Sequence, residues 1–140
     1  MRILFLCTGN SCRSQMAEGW ARVLLGAATE VASAGTDPQG LNPHAVAVMA
    51  EVGVDLTSHR SKHVDEVGPE GFDLIVTVCD HAREACPVPP AGVRTLHHSF
   101  DDPPALTRAA RSEEEALAPY RRVRDEIRAF VEQLPHRLAS

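Results

Sequence analysis

The chain of 140 residues is 44% hydrophobic and 24% charged, with a formal net charge of −5, and this length predicts a single domain, residues 1–140, with one core. The acidic charge and the scattered basic residues argue against nucleic-acid binding, and no apolar run reaches the length of a membrane-spanning helix. A strand is predicted at the start of the chain, which leaves no room for a secretory signal, so we expect a cytoplasmic protein. In that compartment four cysteines favour catalytic or redox chemistry over structural disulfides.

The first predicted elements are a strand, a loop and a helix. Residues 3–6 form a short apolar run that is typical of a buried strand. Residues 7–14 are rich in small residues, and after them apolar residues recur at helical spacing as far as Gly26. A second strand is predicted over residues 31–35 and ends in a run of turn formers.

The second predicted helix has clear start and stop signals. Asn42 is a good N-cap, Pro43 suits the first helical position, and Gly53 ends the helix. The polar stretch over residues 55–70 carries turn signals and predicts at most one short helix.

The second half of the chain continues the alternation of strands and helices. Residues 72–78 are almost continuously apolar, which predicts a strand buried on both faces, and residues 80–85 predict a short helix that ends before a cluster of prolines. Residues 93–100 predict a fourth strand, and Ser112 with Glu115 forms the capping box of a long final helix. The pattern therefore predicts an α/β fold with a four-stranded parallel sheet flanked by helices.

Three chemically reactive residues follow predicted strands. Cys7, Cys79 and Asp102 stand at or just beyond the carboxyl ends of the first, third and fourth strands. In open parallel sheets this edge is where ligands bind. We therefore expect the three side chains to share one site.

The loop after the first strand, Cys-Thr-Gly-Asn-Ser-Cys-Arg-Ser, has the composition of an oxyanion nest. Its backbone N–H groups can point inward, Gly9 permits unusual backbone dihedrals, and the following helix N-terminus adds positive potential. Arg13 can grip two oxygens at once with its planar fork, and the same potential favours the thiolate of Cys7 as a nucleophile. The predicted anion-binding residues are Thr8, Gly9, Asn10, Ser11, Cys12 and Arg13.

This loop resembles the active-site loop of the low-molecular-weight protein tyrosine phosphatase family. The resemblance implies that Cys7 is the nucleophile, Arg13 the anion clamp and Ser14 the hydroxyl that hydrogen-bonds the thiolate. It also implies the fold of that family, with a flavodoxin-like strand order in which the first and third strands are neighbours. Both phosphatases and arsenate reductases are built on this loop.

A second pair of cysteines favours the reductases. The segment Val-Cys-Asp-His-Ala-Arg-Glu-Ala-Cys-Pro, which contains Cys79 and Cys86, resembles the redox segment of thioredoxin-coupled arsenate reductases. The resemblance implies that Cys7 attacks arsenate, that Asp102 protonates the leaving oxygen, and that a disulfide passes from Cys7–Cys79 to Cys79–Cys86. It further implies arsenate, phosphate or sulfate as loop ligands, thioredoxin with its reductase as partner, no cofactor and no metal, and we expect a monomer.

Alternatives remain open for the activity and for several residues. A phosphatase of the same family is one, although Pro104 and Ala105 stand where aromatic residues usually hold a phenol ring, and an anion-sensing module without turnover is another. Cys79 and Cys86 could instead be a buried and a surface thiol, or part of a zinc site with His81. Cys12 is expected to be structural, and Asp101 competes with Asp102 as the acid.

The resemblance extends to residues that support the loop. Several thioredoxin-coupled relatives hold a potassium ion beside it through an Asn, a Glu, a Ser and an acidic residue. Asn10, Glu18 and Ser33 match the first three positions, but Lys62, the only lysine of the chain, stands at the fourth. We expect the Lys62 ammonium to take the place of the cation; the alternative is a solvated surface charge.

Overall fold

A computed structural model describes residues 1–80 and 88–139 of the chain. In these ranges four parallel strands, β1 (Arg2–Cys7), β2 (Glu30–Gly35), β3 (Leu74–Thr77) and β4 (Arg94–His97), form one sheet in the order β2-β1-β3-β4. The helices are α1 (Arg13–Leu24), α2 (Pro43–Glu51), α3 (Val64–Val67), α4 (Pro103–Leu106) and α5 (Glu113–Ala139), with a 3₁₀ turn at Pro69–Gly71. The α/β prediction, the four parallel strands and the flavodoxin-like order are confirmed.

The central strand β1 is buried on both faces because it lies between helix layers. Its alternate residues Ile3, Phe5 and Cys7 pack with residues of α1, α2 and α5, whereas Leu4 and Leu6 pack on the other face, against which α3 lies. Side chains of a strand alternate between the faces of the sheet. An uninterrupted apolar sequence is therefore what this position requires.

Helices α1 and α5 lie side by side over one face of the sheet. The indole Nε1 of Trp20 in α1 donates a hydrogen bond of 3.1 Å to the carbonyl oxygen of Arg124 in α5. The guanidinium of Arg128 lies over the same indole ring, 5.0 Å from its centre. This contact anchors the helix that begins at the reactive loop.

The second helix begins as predicted. Asn42 Oδ1 accepts hydrogen bonds from the backbone N–H groups of His44 (2.8 Å) and Ala45 (3.2 Å), and Pro43 is the first helical residue. The short helix expected within residues 55–70 is α3.

The predicted third and fourth strands were too long. Phe72 and Phe100 are buried, but both lie outside the regularly paired strands. Phe100 makes ring contacts with His98 and Phe130, and its N–H donates a single hydrogen bond of 3.3 Å to the carbonyl oxygen of Val78. Cys79 accordingly lies two residues beyond β3. The helix predicted over residues 80–85 lies almost wholly outside the described residues.

The capping box predicted for the last helix is only half formed. Ser112 Oγ accepts the N–H of Glu115 at 3.1 Å, as expected, but the Glu115 carboxylate accepts the N–H of Arg111, at 2.7 Å, instead of reaching Ser112. Helix α5 then continues through Pro119 and Pro135. None of the helices within residues 1–80 and 88–139 has the length and apolar character needed to cross a membrane.

The carboxyl end of β2 fits tightly against the loop that follows β1. A Cβ atom on Gly35 would lie 2.4 Å from the carbonyl oxygen of Thr8 and 2.7 Å from that of Cys7. Both are backbone atoms and cannot rotate away. Only glycine allows the loop to pack on this strand end.

We expect Gly35→Ala to lower the free energy of unfolding by about 1–3 kcal/mol, because the added methyl group pushes the loop off β2. Urea denaturation followed by circular dichroism measures this loss. Gly71→Ala is the control, since its Cβ would meet only the flexible end of the Arg2 side chain, at 3.0 Å. An equal loss of stability in both variants would contradict the argument.

Candidate active site

Five of the six residues predicted to bind an anion line a cavity of about 420 Å³ at the carboxyl edge of the sheet; Asn10 is not among its described lining residues. Cys7 is the last residue of β1 and Arg13 the first of α1, and both are buried. The cavity is also lined by residues of the β2–α2 connection and of the segment before α4. Among its lining residues are Thr8, Gly9, Ser11, Asp37, Gln39 and Asp102.

The loop carbonyl groups are turned away from the cavity. The oxygens of Thr8 and Gly9 accept the N–H groups of Asp37 and Gln39, each at 2.9 Å, and the oxygen of Ser11 accepts that of Asn42 at 3.0 Å. The C=O and N–H of one trans peptide unit point in opposite directions. The N–H groups that follow these carbonyls therefore face inward, as an oxyanion nest requires.

The unusual backbone conformation of the loop falls on Asn10, with φ 45°, and not on Gly9 as expected. Asparagine tolerates the left-handed region better than most residues, and here its buried side chain is held by several hydrogen bonds. A Cβ on Gly9 would lie 3.1 Å from Cγ of the exposed Gln39 side chain, which can move aside.

A hydrogen-bonded relay leads from Asn10 to the thiol. Asn10 Nδ2 donates to Ser14 Oγ at 2.9 Å, and Ser14 Oγ donates to Cys7 Sγ at 3.5 Å. Because the serine oxygen already accepts from the amide, its own proton is directed at sulfur. This arrangement places a hydroxyl donor on the sulfur of Cys7.

Arg13 and Asp102 stand together beside the loop. Arg13 Nη1 donates to the carbonyl oxygen of Phe100 at 3.2 Å, and Nη2 lies 3.6 Å from Asp102 Oδ1. The Asp102 side chain is 41% exposed, at the cavity mouth, whereas that of Arg13 is 4% exposed. Asp101 pairs with Arg122 Nη2 at 3.0 Å. Of the two neighbouring aspartates, Asp102 is the one that lines the cavity.

Cys12 is buried at the N-cap position of α1. Burial raises the pKa of its thiol, and the nearby Cys7 and Asp102 raise it further, against an opposite effect of Arg13. Cys12 is therefore protonated at neutral pH. It does not compete with Cys7 as a nucleophile.

The cysteines of the loop and Cys79 differ in their oxidation state. Cys7 and Cys12 carry free thiols, whereas Cys79 is fully buried and disulfide-bonded. Cys79 follows β3, the direct neighbour of β1, and is not among the described residues that line the cavity. Cys86 and His81 lie outside the described residues.

Glu18 and Ser33 form a buried pair behind the loop. Ser33 Oγ donates to Glu18 Oε1 at 2.7 Å, and Arg22 Nε donates to Glu18 Oε2 at 2.9 Å. His59 Nδ1 lies 3.6 Å from the same Oε2. The carboxylate is thus paired with a neighbouring guanidinium.

Lys62 supports the loop differently from the prediction. Its main-chain N–H donates to Asn10 Oδ1 at 3.0 Å, whereas its Nζ donates to the carbonyl oxygen of Arg60 at 3.2 Å. The expectation that the ammonium binds the oxygens of Asn10 and Glu18 is therefore wrong. Burial lowers the pKa of Lys62, and Glu18 opposes that shift through its charge.

The sequence did not identify three residues that hold the site. Gln15 is fully buried and bonded to Asn10, and Gly35 admits the loop backbone. Asn42 was predicted only as an N-cap, but its Nδ2 also donates to the hydroxyl of Tyr120 at 3.0 Å. Gln15 lies on the same helix face as Arg22, seven residues further on, so the sequence pattern carried no signal for its burial.

The sequence matches the low molecular weight phosphotyrosine protein phosphatase family over residues 2–140. The chain belongs to this family. It is 51% identical over 125 residues to an arsenate reductase of Bacillus subtilis strain 168, which covers 89% of this chain and 88% of the relative.

Solved structures with a similar fold match nearly the whole length of this chain. A structure of an arsenate reductase in the phosphate binding state matches with a TM-score of 0.78 and 28% identity, over 97% of both chains. The arsenate reductase of Archaeoglobus fulgidus DSM 4304 matches with a TM-score of 0.76 and 31% identity, over 94% of this chain and 97% of that one. The overall fold of these arsenate reductases is thus that of this chain.

We predict that potassium does not stabilise the protein more than sodium does. The oxygens available to a cation already accept hydrogen bonds, Asn10 Oδ1 from the Lys62 N–H and both Glu18 oxygens from Ser33 and Arg22. Melting temperatures in equal concentrations of KCl and NaCl provide the measurement. A melting temperature several degrees higher in KCl would show that the site binds potassium.

Proposed function

We propose that this protein reduces arsenate to arsenite through its thiols and is regenerated by thioredoxin. The observation that carries the proposal is a free Cys7 inside an oxyanion nest, combined with a disulfide-bonded Cys79 just beyond the neighbouring strand. A relative of 51% identity named arsenate reductase supports it. We further propose a monomer of one domain that works in the cytoplasm without a cofactor.

The first step joins sulfur to arsenic. Arsenate binds to the inward N–H groups of the loop, and the fork of Arg13 holds two of its oxygens. The Cys7 thiolate attacks arsenic, and Asp102 gives a proton to the leaving oxygen, which departs as water. The product is a Cys7–arsenic adduct that still contains arsenic(V).

The next steps move two electrons and restore Cys7. The Cys79 thiolate attacks the Cys7 sulfur, and the sulfur–arsenic electron pair passes to arsenic. Arsenite departs, and a Cys7–Cys79 disulfide remains on the protein. Cys86 then attacks Cys79, releases Cys7 and forms a disulfide that thioredoxin reduces. A disulfide at Cys79 beside a free Cys7 is what this order of steps produces before thioredoxin acts.

Phosphate-ester hydrolysis is the second candidate, because it needs only Cys7, Arg13 and Asp102. Phosphate and sulfate have the same tetrahedral shape as arsenate, so the loop should bind all three. None of the described residues that line the cavity is aromatic, so a phenol ring finds no stacking partner there. We therefore propose a weak phosphatase side activity and not a tyrosine-specific one.

Cysteine variants separate the two reactions. Cys7→Ser should abolish both, whereas Cys79→Ser and Cys86→Ser should abolish arsenate-dependent NADPH oxidation with thioredoxin and its reductase but retain hydrolysis of p-nitrophenyl phosphate. Cys12→Ser is the matched control and should retain both activities. Multiple turnover of arsenate by Cys86→Ser at the wild-type rate would contradict the proposed cascade.

Neighbouring aspartates test the acid. Asp102→Asn should slow the hydrolysis of phenyl phosphate, whose leaving group needs a proton, by about a hundredfold, and that of p-nitrophenyl phosphate much less. Asp101→Asn removes the same charge next to it, loses only the exposed pair with Arg122, and should leave both rates nearly unchanged. Equal losses in the two variants would show that Asp102 has no special role as the acid.

A further inference from the structure

Gln15 links the reactive loop to the segment that crosses behind it. The residue is fully buried in the first turn of α1. Its Nε2 lies 3.2 Å from both Asn10 O and Asn10 Oδ1 and 3.1 Å from the carbonyl oxygen of Arg60. Its Oε1 lies 3.1 Å from His59 Nδ1. No step of the proposed reaction uses this side chain.

The direction of each hydrogen bond in this network is fixed by its partners. Two backbone carbonyl oxygens, those of Asn10 and Arg60, face the Gln15 Nε2, so the nitrogen must be on that side. Its two hydrogens serve three acceptors, and the one directed at Asn10 is shared between Asn10 O and Oδ1. His59 Nδ1 must then donate to Oε1, which requires the tautomer with a proton on Nδ1. Burial lowers the pKa of His59, with an opposing effect of Glu18. In the neutral ring the Nδ1–H is the only donor, and it is directed at Gln15 Oε1.

The orientation of the Asn10 amide follows in the same way. The Lys62 backbone N–H and the Gln15 Nε2 amino group are donors that cannot accept a hydrogen bond. Both face Asn10 Oδ1. Asn10 Nδ2 is therefore turned to Ser14. If the amide were reversed, Oδ1 would accept the Ser14 proton, and Cys7 would lose its hydrogen bond.

We propose that Gln15 is a positioning residue for the nucleophile: it locks the Asn10 amide in the orientation that makes Ser14 donate to Cys7. The effect on arsenate reduction rests on the proposed function, whereas the effect on the thiol does not. The Lys62 N–H also holds the Asn10 amide in this orientation. Because this N–H belongs to the backbone, it remains when the Lys62 side chain is substituted.

Two substitutions of nearly equal size distinguish this role from packing. Gln15→Met removes one lock and leaves the Lys62 N–H in place, so the loss should be small. Gln15→Glu replaces the donor with an acceptor, which repels Asn10 Oδ1 and attracts Asn10 Nδ2, and so favours the reversed amide. The loss of activity should be about tenfold or more for Gln15→Glu and within about threefold for Gln15→Met.

The readout is alkylation of Cys7 by iodoacetamide as a function of pH, with the modified cysteine identified by peptide mapping. In Gln15→Glu the pH of half-maximal rate should rise by about one unit, because the thiolate loses the Ser14 hydrogen bond. Gln133→Glu, an exposed glutamine of α5, adds the same charge elsewhere and should cause no shift. Circular dichroism and melting curves confirm that each variant folds.

A double-mutant cycle with Ser14→Ala decides whether Gln15 acts through the relay. In the Ser14→Ala background, Gln15→Glu should cause no further shift, because the hydrogen bond to sulfur is already absent. An additive shift, or equal effects of Gln15→Met and Gln15→Glu, would overturn the proposal. If Gln15→Glu does not fold, the smaller shift expected of Gln15→Met must vanish in the Ser14→Ala background, and a shift that persists there would overturn the proposal. Neither arsenate nor thioredoxin enters this assay, so it can succeed even if the proposed reaction is wrong.

Discussion

The left-handed turn at Asn10 is the constraint on which the active site depends. Five residues connect β1 to α1, and their peptide N–H groups can converge on one point only if the chain reverses its curvature there. The asparagine side chain supplies what the strained backbone lacks, since it joins the loop to α1 through Ser14 and to the crossing segment through the Lys62 N–H. The fold provides the surroundings: β2 ends in a glycine that the loop can approach, and the β2–α2 connection donates to the outward carbonyls.

The local electrostatics oppose those of the whole molecule. The chain carries a formal net charge of −5, yet the cavity must attract an oxyanion beside a thiolate. Helix α1 has no acidic residue in its first turn, so its positive end is not neutralised, and Arg13 adds a full charge in a buried position. The acidic residue that follows, Glu18, is compensated by Arg22. Over a distance longer than about 10 Å the remaining charges are screened by salt.

The sequence predicted the strands, the main helices and the site edge, because these depend on local periodicity and on the way parallel strands end together. It overestimated β3 and β4, since an aromatic residue such as Phe100 can be buried by ring contacts beyond the end of the regular strand pairing. It gave Gly9 the unusual dihedral of Asn10, because glycine is the common residue there and only the surrounding hydrogen bonds favour asparagine. It assigned the contact with Asn10 to the ammonium of Lys62, whereas the main-chain N–H makes it. A main-chain contact does not depend on residue type, so the sequence cannot reveal it.

The order of the chain also determines when the site can form during synthesis. Cys7 is translated before every group that organises it: the N–H of Lys62 fixes Asn10, the carbonyl of Phe100 holds Arg13, and Tyr120 in the last helix braces Asn42. A nascent chain that stops before Phe100 therefore lacks the carbonyl oxygen that holds Arg13, and one that stops before α5 lacks the hydroxyl that holds Asn42. The contacts around the loop are thus complete only when most of the polypeptide has been made.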